Sequence, residues 1–281
     1  MTARRHGPGP GGAHRYLGPA LARAAWAGAA FTFVLLLGLP VLAILLRSLA
    51  SGEFLAALGS PVVVQALRLT AATSLAATGL AALLGTPVAY LLARCPFRGR
   101  TLLENVIELP IILPPSVAGL GLLMAFGRRG LVGEPLASMG LTVSFTTAAV
   151  ILAQFFVAAP LFVRAARAGF AAVDRELETV AHTLGVSSGR TFWRVTVPIA
   201  FPSLLSGLVM CWARAIGEFG ATILFAGSFP GRTQTMSLAI YAALEHDLEA
   251  ALAIAAVLVI LSFGVLLLLR LAVVRWGEWG A

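Results

Sequence analysis

Six stretches of this chain run almost without charge for about 20 residues or more, the length of helix that crosses the hydrocarbon core of a bilayer. They lie at about 24–46, 69–93, 103–127, 141–163, 201–225 and 250–270. The third holds Glu104 and Glu108 near its start, and the fifth holds Arg214 and Glu218. In hydrocarbon a backbone has to satisfy its own polar groups, so single runs of this length fold as helices. The expected fold class is therefore all-α and integral to the membrane, with six transmembrane helices. Composition agrees: 59% of residues are hydrophobic and 11% charged, against about 45–50% and about 25% in soluble domains. Residues 24–46 exceed the apolar core of a secretory signal, and no small-residue cleavage site follows, so this helix is expected to be retained. Residues 1–22, rich in Gly and Pro, are expected to form a disordered tail, and 23–275 a single transmembrane domain.

Every one of the 20 basic residues is arginine. A phosphate-binding loop needs a lysine to reach the phosphates, so this chain holds no ATP site of that kind. Schiff-base chemistry on lysine is excluded for the same reason. Cys95 and Cys211 make no disulfide framework, and the histidines form no ligand cluster, so no bound metal or cofactor is expected. The net charge of +8 invites a nucleic-acid reading, but the arginines sort by side. With the N-terminus inside, fourteen fall in inside segments, among them Arg94, Arg98, Arg100, Arg164, Arg167, Arg175, Arg190 and Arg194. Only Arg47, Arg128, Arg129 and Arg232 fall outside, while Arg68 and Arg214 lie at a span edge or within a span. This asymmetry places both termini in the cytoplasm. The basic excess is then topological, and no nucleic-acid partner is expected.

The connection at 164–200 is too long and too polar to be only a loop. Asp174 is placed as an N-cap. Leu177, Val180, Ala181 and Leu184 follow at helical spacing on one face. Gly185 is placed to end that helix in the left-handed conformation. A second short stretch carries Phe192, Trp193 and Val195, and Pro198 begins the return to the membrane. Periodicity leaves two readings open: an interfacial helix lying on lipid, and a helix–glycine–helix knob that docks into another protein.

Glu178, Ala181 and Gly185, followed by Val195, Thr196, Val197 and Pro198, resemble the EAA motif of binding-protein-dependent ABC importer permeases. Nine residues separate Gly185 from Val195, and Val197 and Pro198 stand where that motif has Leu-Pro. The EAA positions themselves fall on Thr179, Val180 and Ala181, with Glu178 one place early, and Val replaces Ile and Leu. The resemblance implies a short cytoplasmic coupling helix between spans four and five. It would seat on an ATPase subunit, with Glu178, Thr179, Ala181, Leu184, Gly185, Val195, Val197 and Pro198 as coupling residues. Location, spacing and topology favour docking over the lipid reading.

Three further stretches resemble the molybdate permease branch, with sulfate and tungstate permeases as near relatives. They are Glu108 to Gly119 in span three, Gly127 to Gly133 beyond it, and Arg214 to Thr222 in span five with Pro230 to Met236 after it. Pro110, Pro114 and Pro115 each remove a backbone donor and bend a membrane helix. The bend either serves packing or leaves carbonyls lining a cavity. Arg214 and Glu218 are four apart, hence on one face. They read either as an internal ion pair or as an arginine aimed at an anion pathway and held by its carboxylate. Gly217 and Gly220 suit a close helix crossing or a pivot. Pro114, Pro115, Arg214, Gly217, Glu218 and Gly220 are the candidates for pathway or gate. Arg128 and Arg129, against the charge pattern, suit headgroup anchoring or contact with an external binding protein. His182 is expected to face solvent or an interface.

The resemblance thus implies a transport subunit without a catalytic site, in a bacterial inner membrane, surrounded by lipid. It implies a homodimer of permease chains, two ATP-binding subunits inside that hold ATP and magnesium, and a solute-binding protein outside. A sulfate or tungstate permease is the first alternative. An ion-driven carrier is the more remote one, with Glu218 and Glu108 its only candidates for carrying the coupling ion. A membrane enzyme has no support, because no histidine falls within a span.

Overall fold

The computed structural model describes residues 19–279, with side chains over 23–267. Most of the tail expected to be disordered, 1–18, lies outside the described residues. In chain order the helices are α1 (Pro19–Ser51), α2 (Glu53–Gly59), α3 (Pro61–Arg94), α4 (Arg100–Ile112), α5 (Pro115–Phe126), α6 (Gly133–Ser138) and α7 (Thr147–Ala172). Then come α8 (Arg175–Thr183), α9 (Ser188–Thr191), a π-turn (Phe192–Thr196), α10 (Val197–Ile216), α11 (Gly220–Ala226), α12 (Met236–Leu244) and α13 (Leu248–Trp279). No strand occurs among the described residues.

The chain divides into two compact units, one ending at Leu46 and the other beginning at Arg47. In the first, α1 is exposed over 23–43 and apolar all round, the character of a helix whose solvent is lipid. In the second, α3, α7 and α10 form the core. Ala81, Ala89, Ala158, Ala166 and Ala215 let their backbones approach, and Phe162, Phe170, Leu92 and Leu204 fill the seams. Packing of this kind, rather than release of apolar surface from water, holds helices together inside a bilayer. Ala118, Leu122, Val150, Val157 and Phe225 join α5, α7 and α11. Val63, Ala66, Met236, Ile254 and Val257 join α3, α12 and α13.

Five helices are long and apolar enough to cross a membrane, and the count is six when the bent pair α4–α5 is taken as one span. The boundaries differ from the charge-free runs for physical reasons. Helix α3 starts at Pro61, because Val63 and Ala66 are already buried ahead of the exposed Arg68. Helix α7 continues to Ala172, since Ala166, Gly169 and Phe170 pack inward while Arg164 stays exposed. Charge marks the end of the hydrocarbon, not of the helix.

Two expected spans are broken. Span three bends by 116° between α4 and α5. Leu113, forced out of helical geometry by the proline after it, is extended with ψ 134°, and Pro115 starts the new helix. Span five begins at Ser188 rather than near Phe201 and ends at Ile216, with α11 as a separate helix after Gly217 and Glu218. Pro198 does not stop it. The π-turn ahead of it bonds Val197 N–H back to the Phe192 carbonyl, a register in which the run passes into α10.

Candidate functional site

The connection between α7 and α10 folds as a helix, a glycine turn and a second helix. Asp174 caps α8, its Oδ1 accepting Glu176 N–H at 2.9 Å. The other end closes in a Schellman turn: Val186 N–H reaches the Ala181 carbonyl and Gly185 N–H that of His182, both at 3.0 Å. Gly185 has φ +78°, a conformation that L side chains rarely adopt. His182 Nδ1 pairs with the Val186 carbonyl at 3.1 Å within the same turn.

Helix α8 has two faces. Ala181 is buried. Leu177, Val180 and Leu184 are 47%, 55% and 77% exposed, and Trp193 beyond the turn is 68% exposed. These apolar side chains form a largely exposed knob, with Trp193 resting edge-on against Phe192, centroids 5.2 Å apart. Thr179 stays on the helix surface, its hydroxyl donating to the Arg175 carbonyl at 3.0 Å. Val197 packs on the core, Val195 is half-buried and Pro198 is exposed. Glu178, like Ala181 and Val197, faces inward. Its carboxylate turns into the chain, toward Arg94 and Thr196.

A second group of expected residues meets at the two helix breaks. A Cβ on Gly220 would lie 2.5 Å from the Pro115 Cβ, and one on Gly119 would lie 2.9 Å from the Ala221 carbonyl oxygen. The absence of side chains at both positions is what lets α5 and α11 touch. Arg214 and Glu218 form an ion pair, Nη1 to Oε2 at 2.8 Å. Glu218 Oε1 accepts Ala221 N–H at 2.8 Å and so also caps α11. The carboxylate is 1% exposed and the arginine 34%. Gly217 and Pro114 are exposed beside their respective breaks. Arg128 and Arg129 are exposed and remote from this group, since α5 is 12 residues long, roughly 18 Å at about 1.5 Å per residue.

The stretch from Pro230 to Met236 is a brace, exposed at Pro230, Gly231 and Arg232 and buried from Thr233 to Met236. Thr233 Oγ1 accepts Phe229 N–H at 2.9 Å, Thr147 Oγ1 donates to the Arg232 carbonyl at 2.9 Å, and Met236 N–H reaches Thr70 Oγ1 at 2.8 Å. Thr70 carried no mark in the sequence, and neither Arg94, an arginine at a span end, nor Thr196, a member of the motif, was marked as a partner of Glu178, because these contacts reach far along the chain. Gln154 did carry one, a polar side chain in an apolar run. It is completely buried, and neither amide atom has a partner within the protein. Among the described residues no His, Cys, Asp and Glu cluster fit for a metal ion occurs.

Residues 85–276 match the model of the binding-protein-dependent transport system inner membrane component family. The chain belongs to this family. The matched region contains both helix breaks and the whole α8–α9 knob, and leaves α1 and α2 outside. Curated relatives extend the likeness further toward the N-terminus. The chain is 42% identical to the molybdenum transport system permease protein ModB of Mycobacterium tuberculosis over 82% of this chain and 86% of that one. It is 36% identical to the molybdate/tungstate transport system permease protein WtpB of Thermococcus kodakarensis, covering 85% and 91%. The fold matches a bacterial ABC transporter involved in the import of the acidic polysaccharide alginate, with TM-score 0.71 and 16% identity over 91% of this chain and 96% of that one. As a member of this family the chain is an ABC importer permease, the membrane-embedded component of a transport system.

Proposed function

We propose that this permease forms the pathway of an ATP-driven molybdate importer. The observation that carries the coupling half is the α8 knob: a capped helix, closed by Gly185, with Leu177, Val180 and Leu184 facing outward. A short rigid element with an apolar face fits a groove on a cytoplasmic ATPase subunit, where ATP-driven closure moves it as a body. Two permease chains on a two-fold axis present two such knobs to two ATPase subunits. Those subunits hold the ATP and magnesium, since this chain has no lysine for a phosphate-binding loop. The arginine asymmetry supports cytoplasmic termini and a cytoplasmic knob. Arg128 and Arg129 then lie outside, where a solute-binding protein delivers the anion.

The substrate half rests on the curated relatives, whose names specify molybdenum or molybdate and tungstate. The breaks at Leu113–Pro114 and Gly217–Phe219 form the gate region. Membership of a binding-protein-dependent family removes the basis for an ion-driven carrier. Glu218, the acid such a carrier needs, is occupied by Arg214 and the α11 backbone.

The test is ATP hydrolysis by the permease–ATPase complex in liposomes, given binding protein loaded with molybdate, tungstate or sulfate. Stimulation by molybdate, with or without tungstate, is expected. Stimulation by sulfate alone overturns the substrate, and failure to associate with any ATPase overturns the coupling role.

A further inference from the structure

One oxygen of Glu178, Oε1, receives both Arg94 Nη2 at 3.0 Å and Thr196 Oγ1 at 2.6 Å. Arg94 is the last residue of α3, and its Nη2 also donates to the Val173 carbonyl at 3.0 Å, just past the end of α7. Thr196 closes the π-turn that leads into α10 and is completely buried. Arg175 Nη2 returns to the Arg94 carbonyl at 3.3 Å. One side chain of α8 is thereby tied to the ends of all three core helices. The joint is shielded from water, with Arg94 8% and Glu178 17% exposed. Beside it Tyr90 packs edge-on against Phe170 and Phe192, centroids 5.5 Å and 5.0 Å away, so the same three ends are also wedged by rings.

We propose that Arg94 and Thr196 are positioning residues for energy coupling, which clamp α8 through Glu178 so that its displacement carries α3, α7 and α10 together. Without the clamp, α8 keeps its chain connections through Val173–Asp174 and Leu184–Ser187 and the Arg175 bond to the Arg94 carbonyl, but loses its side-chain tie to α10 and to the Arg94 guanidinium. A push on the knob then dissipates in those few backbone torsions. Charge-assisted hydrogen bonds in a poorly hydrated joint are strong and directional, which is what force transmission needs. The π-turn places the second strut: a π-turn is rare and recurs at functional positions, and here its last hydroxyl reaches Glu178. Glu178 is therefore a joint inside the permease rather than part of the surface offered to the ATPase.

This inference rests on α8 being the ATPase contact, and the experiment separates the two. The complex is reconstituted with molybdate-loaded binding protein. Co-purification of the ATPase, ATP hydrolysis and molybdate imported per ATP are measured. Arg94→Gln and Thr196→Val are expected to keep the ATPase bound and hydrolysing. Import per ATP is expected to fall roughly tenfold in Arg94→Gln, the scale of one lost charge-assisted hydrogen bond. A wild-type import ratio in Arg94→Gln overturns the proposal, and so does loss of ATPase binding in that variant, which would make the joint part of the docking surface. If Arg94→Gln does not accumulate, Thr196→Val decides by the same ratio, because it leaves the ion pair intact. The docking reading fails separately, if Leu177→Asp with Leu184→Asp still co-purifies the ATPase.

Discussion

A carboxylate at hydrocarbon depth persists only where its charge is answered within reach. Glu218 is answered twice, by Arg214 at 2.8 Å and by Ala221 N–H at 2.8 Å. Removing Arg214 leaves a buried charge with one neutral donor. Breaking a fully buried pair costs about 3–5 kcal/mol. Arg214 is a third exposed, so Arg214→Ala is expected to cost less, about 1–3 kcal/mol. Glu218→Gln keeps an acceptor for Ala221 and removes the charge, and is expected to cost less again. Thermal unfolding of the detergent-solubilised protein checks the order. Unchanged unfolding in Arg214→Ala, with import lost, instead makes the arginine a pathway residue. The proline next to Gly220 sets a second constraint at this scale. With a Cβ only 2.5 Å from the Pro115 Cβ, alanine at 220 has to push α5 off α11, an overpacking that typically costs about 1–3 kcal/mol.

At the scale of elements, the turn after α8 depends on one residue. A β-branched side chain at φ +78° is penalised by contact of Cβ with the following carbonyl, about 1–2 kcal/mol. Gly185→Val is therefore expected to open the Schellman turn and free α9 from α8. The chain should still reach the membrane, because the core helices are untouched. Import should be lost while hydrolysis continues, and retained import would show that the turn is not needed for coupling. That turn was legible in the sequence, since Asp174 and Gly185 are local signals. The spans were legible too, because hydrocarbon thickness imposes a length. The break in span three was marked by Pro114 and Pro115, although its 116° angle was not. The break at Gly217–Phe219 was marked only by the pivot reading of Gly217 and Gly220. An ion pair four residues apart is equally at home in an unbroken helix, and only the Ala221 N–H shows that Glu218 serves as a cap. Least visible was the Arg94–Glu178 joint, whose members stand 84 residues apart. The sequence offers an acid in a motif and an arginine at a span end, and only the parallel course of α3 and α7 brings them together.

At the scale of the whole molecule, the arginine asymmetry and the internal joint converge on sidedness. Arg94, Cys95, Arg98 and Arg100 share the turn between α3 and α4. Arg94 holds α8, so this turn lies at the same end of the core as the knob. On the proposed sidedness, which follows the positive-inside rule, that end is the cytoplasmic one. The native cysteines then report the orientation with no substitution at all. Cys95 is exposed and Cys211 is buried within the core. A membrane-impermeant maleimide is expected to label Cys95 in inverted vesicles and to leave it unlabelled in intact spheroplasts. Cys211 should stay silent in both until the protein is denatured. Labelling from the outer side would put the knob outside, and the coupling role of α8 would fail with it. The same thiol reads assembly: it lies next to the joint that anchors α8, so a docked ATPase subunit should slow its labelling. Leu177→Asp with Leu184→Asp should remove that protection without changing the side from which Cys95 is reached.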